Sequence, residues 1–307
     1  MALNLAAATA IVNNLTATFD ASARAANPFY PEISFTRPST RNEEKYGWVG
    51  DFPGMREWLG ERKFNELRAA TYTLENKHWE SSMSIKKTDM EDDNMGLYPG
   101  IMQNLGAEAT HHPDELFVTA LENGETDLGF DGQAFFDTDH SWGSSGTQSN
   151  DLTYNASDPD AVTDTEFLAA YHQARTALLG FKGDNGKTFV RPVVRGLGNL
   201  MILVPLELEV VAHKAIQSAL RGGGDTNIVL DQPQIVAIPG LTSGRKFYLS
   251  HNDSGIMRPF VFQPRQPLSR QVKGLDDIEF KEAKFMTEAR YNIGYLFWFK
   301  MTLTTFT

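Results

Sequence analysis

The sequence contains no cysteine among its 307 residues. Disulfide bridges, thiolate metal sites and cysteine nucleophiles are therefore excluded together. Its longest apolar run, residues 200–206, is interrupted by Pro205 and is far shorter than the roughly 18 residues that a membrane helix needs. No basic residue precedes Arg24, so the charged region that begins a signal peptide is missing. We expect a product of the cytoplasm that makes no contact with a membrane.

Basic charge is scarce as well. The chain has 28 lysine and arginine residues against 39 acidic ones, which gives a formal net charge of −11. The basic residues are dispersed, whereas binding driven by phosphate contacts needs a clustered basic surface. Nucleic-acid recognition is therefore not expected as the main function, although an acidic wall beside packaged DNA is compatible with this charge.

The motifs of common enzymes are also missing. No G-x-S-x-G, H-E-x-x-H or G-x-G-x-x-G occurs, and the glycines before Lys187 fail the phosphate-loop spacing by one residue. Asp137, Asp139 and His140 could ligate a divalent metal, but a polar run after a strand usually forms a turn. We predict no catalytic residue, no cofactor and no metal, and keep a metal-dependent hydrolase that uses residues 137–140 as an alternative.

An alternating pattern over residues 70–86 predicts a β-hairpin, since a period of two is that of a strand. Glu75, Asn76 and Lys77 are of the types that form its turn. The alternating residues are Tyr72 and Leu74 before the turn, and Trp79, Met83 and Ile85 after it. An isolated two-stranded hairpin is marginally stable in water. We therefore expect this hairpin to lie off the core of its own subunit and to contact a neighbour.

Helical spacing of apolar residues predicts the main helices. Residues 1–23 form an amphipathic helix that either packs on its own domain or docks on a neighbour, and the proline-rich residues 27–40 form an extended connector. A long helix beginning near Pro99 is expected to break near Pro113 and to stop at Asn123.

The second half of the chain predicts an α/β block followed by strands. A strand over 128–136 and a polar loop over 141–160 lead to a helix that begins with the capping-box spacing of residues 163–166. The further expected elements are strands at 199–204, 228–230, 234–238 and 247–250, a helix after Pro205, and aromatic strands at 257–263, 278–289 and 290–306.

Four motifs resemble the major head subunits of Mu-like phages and prophages, the gpT-type family. They are R-E-W-L-G-E-R at 56–62, E-N-K-H-W-E at 75–80, M-E-D-D-N-M-G-L-Y at 90–98 and A-R-Y-N-I-G-Y-L-F-W at 289–298. The sequence departs from the family pattern after Trp298. The family is similar to the Hong Kong 97-type capsid fold, so the resemblance implies an α+β fold.

This resemblance divides the chain into five parts. They are an N-terminal arm (1–45), an extended E-loop hairpin (46–91), a first P-domain part with the long spine helix (92–150), an α/β A-domain (151–252) and the closing antiparallel strands of the P-domain (253–307).

The function that the resemblance implies is that of the major capsid protein of a tailed phage, a structural protein and not an enzyme. It would self-assemble into hexamers and pentamers of an icosahedral head around double-stranded DNA, in the host cytoplasm, and remain in the virion. Its other implied partners are a separate scaffolding protein, a portal and, where the shell carries one, a decoration protein. An encapsulin-like compartment is the alternative.

The candidate subunit-interface residues belong to the stretch that includes the hairpin. They are Arg56, Trp58, Arg62, Lys63, Tyr72, Leu74, Asn76, Lys77, Trp79, Met83 and Ile85.

Overall fold

The computed structural model describes residues 5–49, 69–92, 96–189, 198–220, 226–229, 231–252, 257–273 and 282–307. The α-helices are α1 (Leu5–Ala25), α2 (Tyr30–Ile33), α3 (Lys87–Glu91), α4 (Tyr98–Glu122), α5 (Asp164–Gly180) and α6 (Leu206–Gln217). The strands are β1 (Ser34–Thr36), β2 (Glu43–Val49), β3 (Ala69–Glu75), β4 (Lys77–Lys86), β5 (Asp151–Tyr154), β6 (Leu200–Val204), β7 (Gln234–Ala237), β8 (Lys246–His251), β9 (Phe260–Lys273), β10 (Glu282–Tyr295) and β11 (Met301–Phe306). Short 3₁₀ turns occupy Asn123–Glu125 and Trp298–Lys300.

Two sheets and one ribbon organise these strands. The first sheet has the order β1-β9-β10-β4, the second has the order β5-β11-β8-β6-β7, and β2 and β3 form a two-stranded ribbon. Both sheets are mixed. In the first, β1 runs parallel to β9 while β9, β10 and β4 are antiparallel. In the second, the β5–β11 and β6–β7 pairs are parallel while β8 is antiparallel to both of its neighbours. The closing segment 253–307 divides between the two: β9 and β10 are in the first sheet, whereas β11 lies between β5 and β8 in the second.

Helix α4 runs without a break through Pro113, so the predicted break is wrong. A proline in a helix removes one backbone hydrogen bond, and here its ring is buried together with Met102, Phe117 and Leu121 on the inner face. Packing of that face favours the continuous helix over the local preference of proline. Ile101, in the first turn of the helix, is 44% exposed.

The N-terminal helix α1 packs on α4 of its own chain, which agrees with the first of the two predicted alternatives. Gly106 makes the close approach possible, because a Cβ atom there would lie 2.5 Å from the Phe19 carbonyl oxygen. Beside it the Ser22 hydroxyl donates to the Gln103 carbonyl, and Arg270 forms a bidentate pair with Asp20. Residues of α1 at helical spacing are thereby buried, namely Ala8, Val12, Leu15 and Phe19.

The connector after α1 is more structured than predicted. It contains the single turn α2 and the strand β1, so residues 27–40 are not extended throughout. The Asp114 carboxylate of α4 accepts the backbone N–H groups of Phe29, at 2.9 Å, and Tyr30, at 2.7 Å. Negative charge at a helix start satisfies donors that lack an intrahelical partner. Asp114 thereby ties the connector to the long helix.

An aromatic core joins the two sheets beneath α4. Phe135 stacks on Tyr295 at 4.8 Å between ring centroids, and Phe117 meets Phe260 edge to face at 5.2 Å. Phe135 and Phe260 are fully buried, and burial of such a side chain stabilises the fold by about 1.5 to 3 kcal/mol. Residues 128–136 do not form the predicted strand: Leu128 and Ala134 make one isolated bridge, and the segment turns back to insert its phenylalanines.

The α/β block follows most of its predicted order. Strands β6, β7 and β8 and helix α6 lie within two residues of their expected starts, and β5 lies inside the segment predicted as a polar loop. Residues 228 and 229 are not in a strand. On α6, Val210 is 59% exposed.

Helix α5 begins with the predicted capping box. The Thr163 side chain accepts the Glu166 N–H, and the Glu166 carboxylate accepts the Thr163 N–H. Hydrogen bonds from the Thr163 side chain and from backbone N–H groups lower the pKa of Glu166 from 4.5 to about 2. The prediction of a helix start at this position is confirmed.

We expect Thr163→Ala to lower the free energy of unfolding by about 1 kcal/mol at neutral pH, the usual cost of losing an N-cap. Because the pKa of Glu166 is lower in the folded protein, its stabilising effect is present above pH 4.5 and is lost as the pH falls toward 2. The difference between the variant and the parent should therefore shrink over that range. Thermal unfolding from pH 7 to 2, with Thr165→Ala as control, tests this, and a constant difference would contradict it.

Candidate interaction surface

The predicted hairpin over residues 70–86 does not form. Strand β3 pairs with β2 in the register Glu43↔Glu75 to Val49↔Ala69, whereas β4 pairs with β10 from Lys77↔Tyr291 to Lys86↔Glu282. The two strands follow one another in different sheets. The change of parity between Leu74 and Trp79, which predicted a turn, marks the passage of the chain from one partner strand to another.

The hairpin that does form is the ribbon of β2 and β3, and it joins residues 43–49 to 69–75. Strand β2 was not predicted. The sequence signal that could have identified it is the alternation of the aromatic residues Tyr46 and Trp48. The ribbon base is attached to its own subunit. The Tyr46 hydroxyl and the Gln263 side-chain oxygen are 2.7 Å apart, and the Gln263 amide donates to the Leu74 carbonyl. Burial raises the pKa of Tyr46 above its ordinary value.

Asn76 forms the joint between β3 and β4. Its side-chain nitrogen donates to the Ser39 hydroxyl and the Arg41 carbonyl, both at 2.8 Å, and to the Asn42 carbonyl at 3.2 Å. Its backbone N–H also donates to the Asn42 carbonyl, at 2.9 Å. The residue is only 7% exposed. Asn76 therefore fixes the direction in which the ribbon of β2 and β3 leaves the rest of the subunit, although asparagine is a residue type typical of turns.

The candidate interface residues differ in their position. Leu74, Asn76 and Ile85 are buried in their own subunit, Tyr72, Trp79 and Met83 are half-buried, and Lys77 is exposed. Ile85 is 0% exposed, so the expectation that a neighbour would bury it further is wrong. The remaining four candidates, Arg56, Trp58, Arg62 and Lys63, lie outside the described residues.

Trp79 belongs to an aromatic group that the sequence did not reveal. Its indole N–H donates to the Tyr291 carbonyl at 3.0 Å, and its ring meets the His112 ring at 4.5 Å. His112 and the Tyr291 hydroxyl are 2.8 Å apart. Burial lowers the pKa of His112. The three side chains come from β4, α4 and β10, so only the fold brings them together.

The predicted metal-binding alternative has a different explanation in the structure. His140 is fully buried, with Nδ1 2.7 Å from the Asp131 carboxylate and Nε2 3.1 Å from the Asn150 side-chain oxygen. The Asn150 nitrogen donates to the carbonyls of Phe135, Trp298 and Met301, which turns its oxygen toward His140. Both ring nitrogens therefore face acceptors.

His140 also stacks on Trp298 at 4.0 Å, with the ring planes 6° apart. Asp137 and Asp139 do not join it: the Asp137 carboxylate bonds the Thr138 N–H, and Asp139 accepts from Gln133. Within the described residues no group of three or more histidine or acidic side chains could hold a metal ion. The group around His140 ties together distant parts of the chain.

None of the helices in the described part of the chain is both long enough and apolar enough to span a membrane.

Comparison with known sequences shows two clear relatives. The model of the family described as the Mu-like prophage major head subunit gpT matches residues 8–168. The Mu-like prophage FluMu major head subunit of Haemophilus influenzae is 30% identical over an alignment of 241 residues, and the match covers 69% of this chain and 78% of that protein. The major capsid protein of Escherichia phage Mu is 40% identical over 111 residues, which are 36% of each chain.

Comparison with solved structures shows the same kind of neighbour. The structure of the procapsid of bacteriophage JBD30 has a TM-score of 0.56 and 25% identity, and the match covers 99% of this chain and 77% of that one. The capsid of cyanophage P-SCSP1u has a TM-score of 0.61 over 92% of this chain and 89% of the other. At 11% identity this second likeness shows the fold alone.

Proposed function

Since the chain belongs to the family of Mu-like prophage major head subunits, we propose that it assembles into hexamers and pentamers of an icosahedral head that encloses double-stranded DNA. It is the major capsid protein of a tailed phage, with the α+β fold of Hong Kong 97-type capsids. It is a structural protein of the virion and not an enzyme, and copies of it form the shell.

One observation carries this conclusion. The identity of 30% to a head subunit extends over an alignment of 241 residues, which covers 69% of this chain. The metal-dependent hydrolase is not supported, because the buried partners of His140 account for that residue. The encapsulin-like compartment is not supported either, since the sequence relatives are phage head proteins.

We further propose the partners that a head subunit of this kind requires. They are a separate scaffolding protein, a portal at one vertex, a decoration protein where the outer surface carries one, and packaged DNA on the inner face. Assembly takes place in the host cytoplasm. The net charge of −11 agrees with an inner wall that does not hold the phosphates of the packaged DNA tightly.

Purified mature particles test the proposal of a genome-enclosing head. We expect double-stranded DNA that resists nuclease until the shell is opened. Particles that instead contain a co-purifying enzyme and no DNA would favour a compartment over a phage head.

The exposed and half-buried candidates remain the proposed contacts with a neighbouring subunit. They are Tyr72, Lys77, Trp79 and Met83, with Arg56, Trp58, Arg62 and Lys63 of the segment between β2 and β3. The sequence suggested that Lys77 lies at the tip of a hairpin, but in the structure it is the first residue of β4. It is exposed and makes no ion pair with any described residue, so its charge is free to meet an acidic group of a neighbour.

We expect Lys77→Glu to reduce the yield of shells more at low salt than at high salt while the isolated subunit stays folded. An exposed ion pair contributes only about 0 to 1 kcal/mol, but the contact recurs in every subunit of the shell. Salt screens such pairs over about 8 Å at physiological ionic strength. Light scattering across a salt series measures the yield, with Lys182→Glu, exposed in the other sheet region, as the matched control. Equal yields for Lys77→Glu and the parent at every salt concentration would contradict this contact.

A further inference from the structure

The sequence contains two asparagine-glycine pairs, Asn123-Gly124 and Asn185-Gly186. An asparagine that precedes a glycine is prone to lose its side-chain amide, because the backbone nitrogen of the glycine can attack the asparagine side chain without hindrance from a Cβ atom. The second pair belongs to the glycine-rich run before Lys187 that fails as a phosphate loop. The structure places the two pairs in opposite surroundings.

The first pair is locked into the core. The Asn123 carbonyl accepts the backbone N–H groups of Thr126, at 2.9 Å, and Asp127, at 2.8 Å. Gly124 is buried, and a Cβ atom there would lie 2.5 Å from the ring of Phe136, which is itself 2% exposed. The Gly124 carbonyl also accepts the Phe136 N–H at 2.7 Å. The Gly124 nitrogen therefore cannot approach the Asn123 side chain unless Phe136 leaves the core.

The second pair lies at the tip of a small surface turn. Lys182 and Thr188 form an isolated bridge at its base. Above the bridge, the Gly183 N–H donates to the Lys187 carbonyl and the Gly186 N–H donates to the Gly183 carbonyl, both at 2.9 Å. Gly186 has a φ of +73°, which a glycine adopts without strain. A half-buried surface turn opens at a small cost in free energy, and such opening releases the Gly186 nitrogen.

The Asn185 side chain is already arranged for this attack. Its Oδ1 atom accepts the Lys187 N–H at 2.7 Å, so the side chain is folded back over the bond between Asn185 and Gly186. Attack at Cγ places negative charge on Oδ1. A backbone donor that already points at this oxygen stabilises the charge, as the donors of an oxyanion hole do.

We propose that Asn185 is a site of spontaneous deamidation in the folded protein and that Asn123 is protected. The Gly186 nitrogen bonds to Cγ of Asn185, the Cγ–Nδ2 bond breaks, and the proton of the Gly186 N–H leaves with the amide group as ammonia. Water then opens the cyclic imide at either of its C–N bonds and gives aspartate or isoaspartate. Water is consumed and ammonia is released without oxidation or reduction, so the reaction needs no cofactor.

Isoaspartate at this position changes how the turn packs. The Asp184 carbonyl accepts the Ser144 N–H at 2.8 Å, and a Cβ atom on Gly143 would lie 2.7 Å from the same oxygen. Isoaspartate runs the main chain through the former side chain and so lengthens it at residue 185. Because the contact with residues 143 and 144 is already close, we expect the lengthened turn to lose the bond between Ser144 and Asp184. Either product also adds a negative charge to a chain whose net charge is −11.

Peptide mapping by mass spectrometry tests the site on the isolated subunit, which makes the test independent of shell assembly. The folded protein is incubated at mildly alkaline pH, and the conversion of both asparagines is followed with time. We expect conversion at Asn185 to be faster than at Asn123 by roughly tenfold or more. The rate at Asn185 should fall as the pH is lowered, because the attacking nitrogen must lose its proton.

The chain unfolded in denaturant is the matched control, since it contains both pairs without their surroundings. There the two rates should approach one another, because Gly124 is no longer held against Phe136. Equal rates at the two asparagines in the folded protein would overturn the inference. So would an Asn185 that stays intact in the folded protein while it converts in the unfolded chain.

Amide exchange at Ser144 tests the structural consequence. We expect faster exchange in protein that contains isoaspartate at residue 185 than in fresh protein. The variant Asn185→Asp adds the same charge without lengthening the main chain, so its exchange at Ser144 should equal that of the parent. Equal exchange in the isoaspartate protein and the parent would show that the turn keeps its contact with Ser144 and would overturn this part of the inference.

Discussion

Replacing His140 by alanine is expected to lower the free energy of unfolding by about 3 to 5 kcal/mol, the range seen when one partner of a buried ion pair is removed. The Asp131 side chain is 2% exposed and would lose its partner at 2.7 Å. The Asn150 side-chain oxygen would lose its contact with His140 and keep only the Asp137 N–H as a donor, and Trp298 would lose the ring that stacks on it. Chemical denaturation of the isolated subunit, followed by tryptophan fluorescence, measures the change.

Two further variants separate the causes. His140→Phe keeps a ring against Trp298 but supplies no donor, so we expect it to retain most of the penalty of an unpaired buried carboxylate, about 1 to 3 kcal/mol or more. Asp139→Ala removes an exposed neighbour that accepts only from Gln133, and should stay within about 0.5 kcal/mol. If Asp139→Ala proved as damaging as His140→Ala, the site around residues 137–140 would need a different explanation.

The second large effect is expected at the joint of the ribbon. Asn76→Ala removes three side-chain hydrogen bonds and leaves the carbonyls of Arg41 and Asn42 with fewer partners. We expect a loss of about 2 to 3 kcal/mol in the free energy of unfolding, with faster amide exchange in residues 43–49 and 69–75. The yield of shells should fall further than the loss of stability alone explains, because the direction of the ribbon is no longer fixed.

Asn42→Ala is the matched control for this joint. Its side chain is exposed and makes contacts of 3.4 Å with Glu75 and Arg290, whereas Asn76 bonds its backbone carbonyl, which the substitution keeps. The control should change stability by no more than about 0.5 kcal/mol. Equal exchange rates in the ribbon for both variants would show that Asn76 does not fix its direction.

The sequence predicted those elements that are specified by residues close together in the chain. The capping box at Thr163 needs only residues three positions apart in sequence, and the buried face of α5 follows the helical period. The start of the long helix α4 near Pro99 and its end at Asn123 were also predicted from the sequence. The sequence did not predict that α4 is continuous. The rule that proline breaks a helix describes an isolated helix, whereas Pro113 is buried in the packed face of α4.

Pairing between distant strands was the part that sequence could not supply. A change of parity at residues 75–79 fits both a tight turn and a strand that changes partners, and only the positions of β2 and β10 decide between them. The same limit applies to His140, whose partner Trp298 lies far along the chain. Strand β11 likewise inserts between β5 and β8, a position that its own residues do not specify.

Electron microscopy of the purified protein, expressed alone and together with the proposed scaffolding protein, tests the central claim most directly. The claim is that this chain builds a closed head from copies of itself. We predict closed icosahedral shells in at least one of the two preparations, made of 34.2 kDa subunits. Monomers or irregular aggregates in both preparations would contradict it.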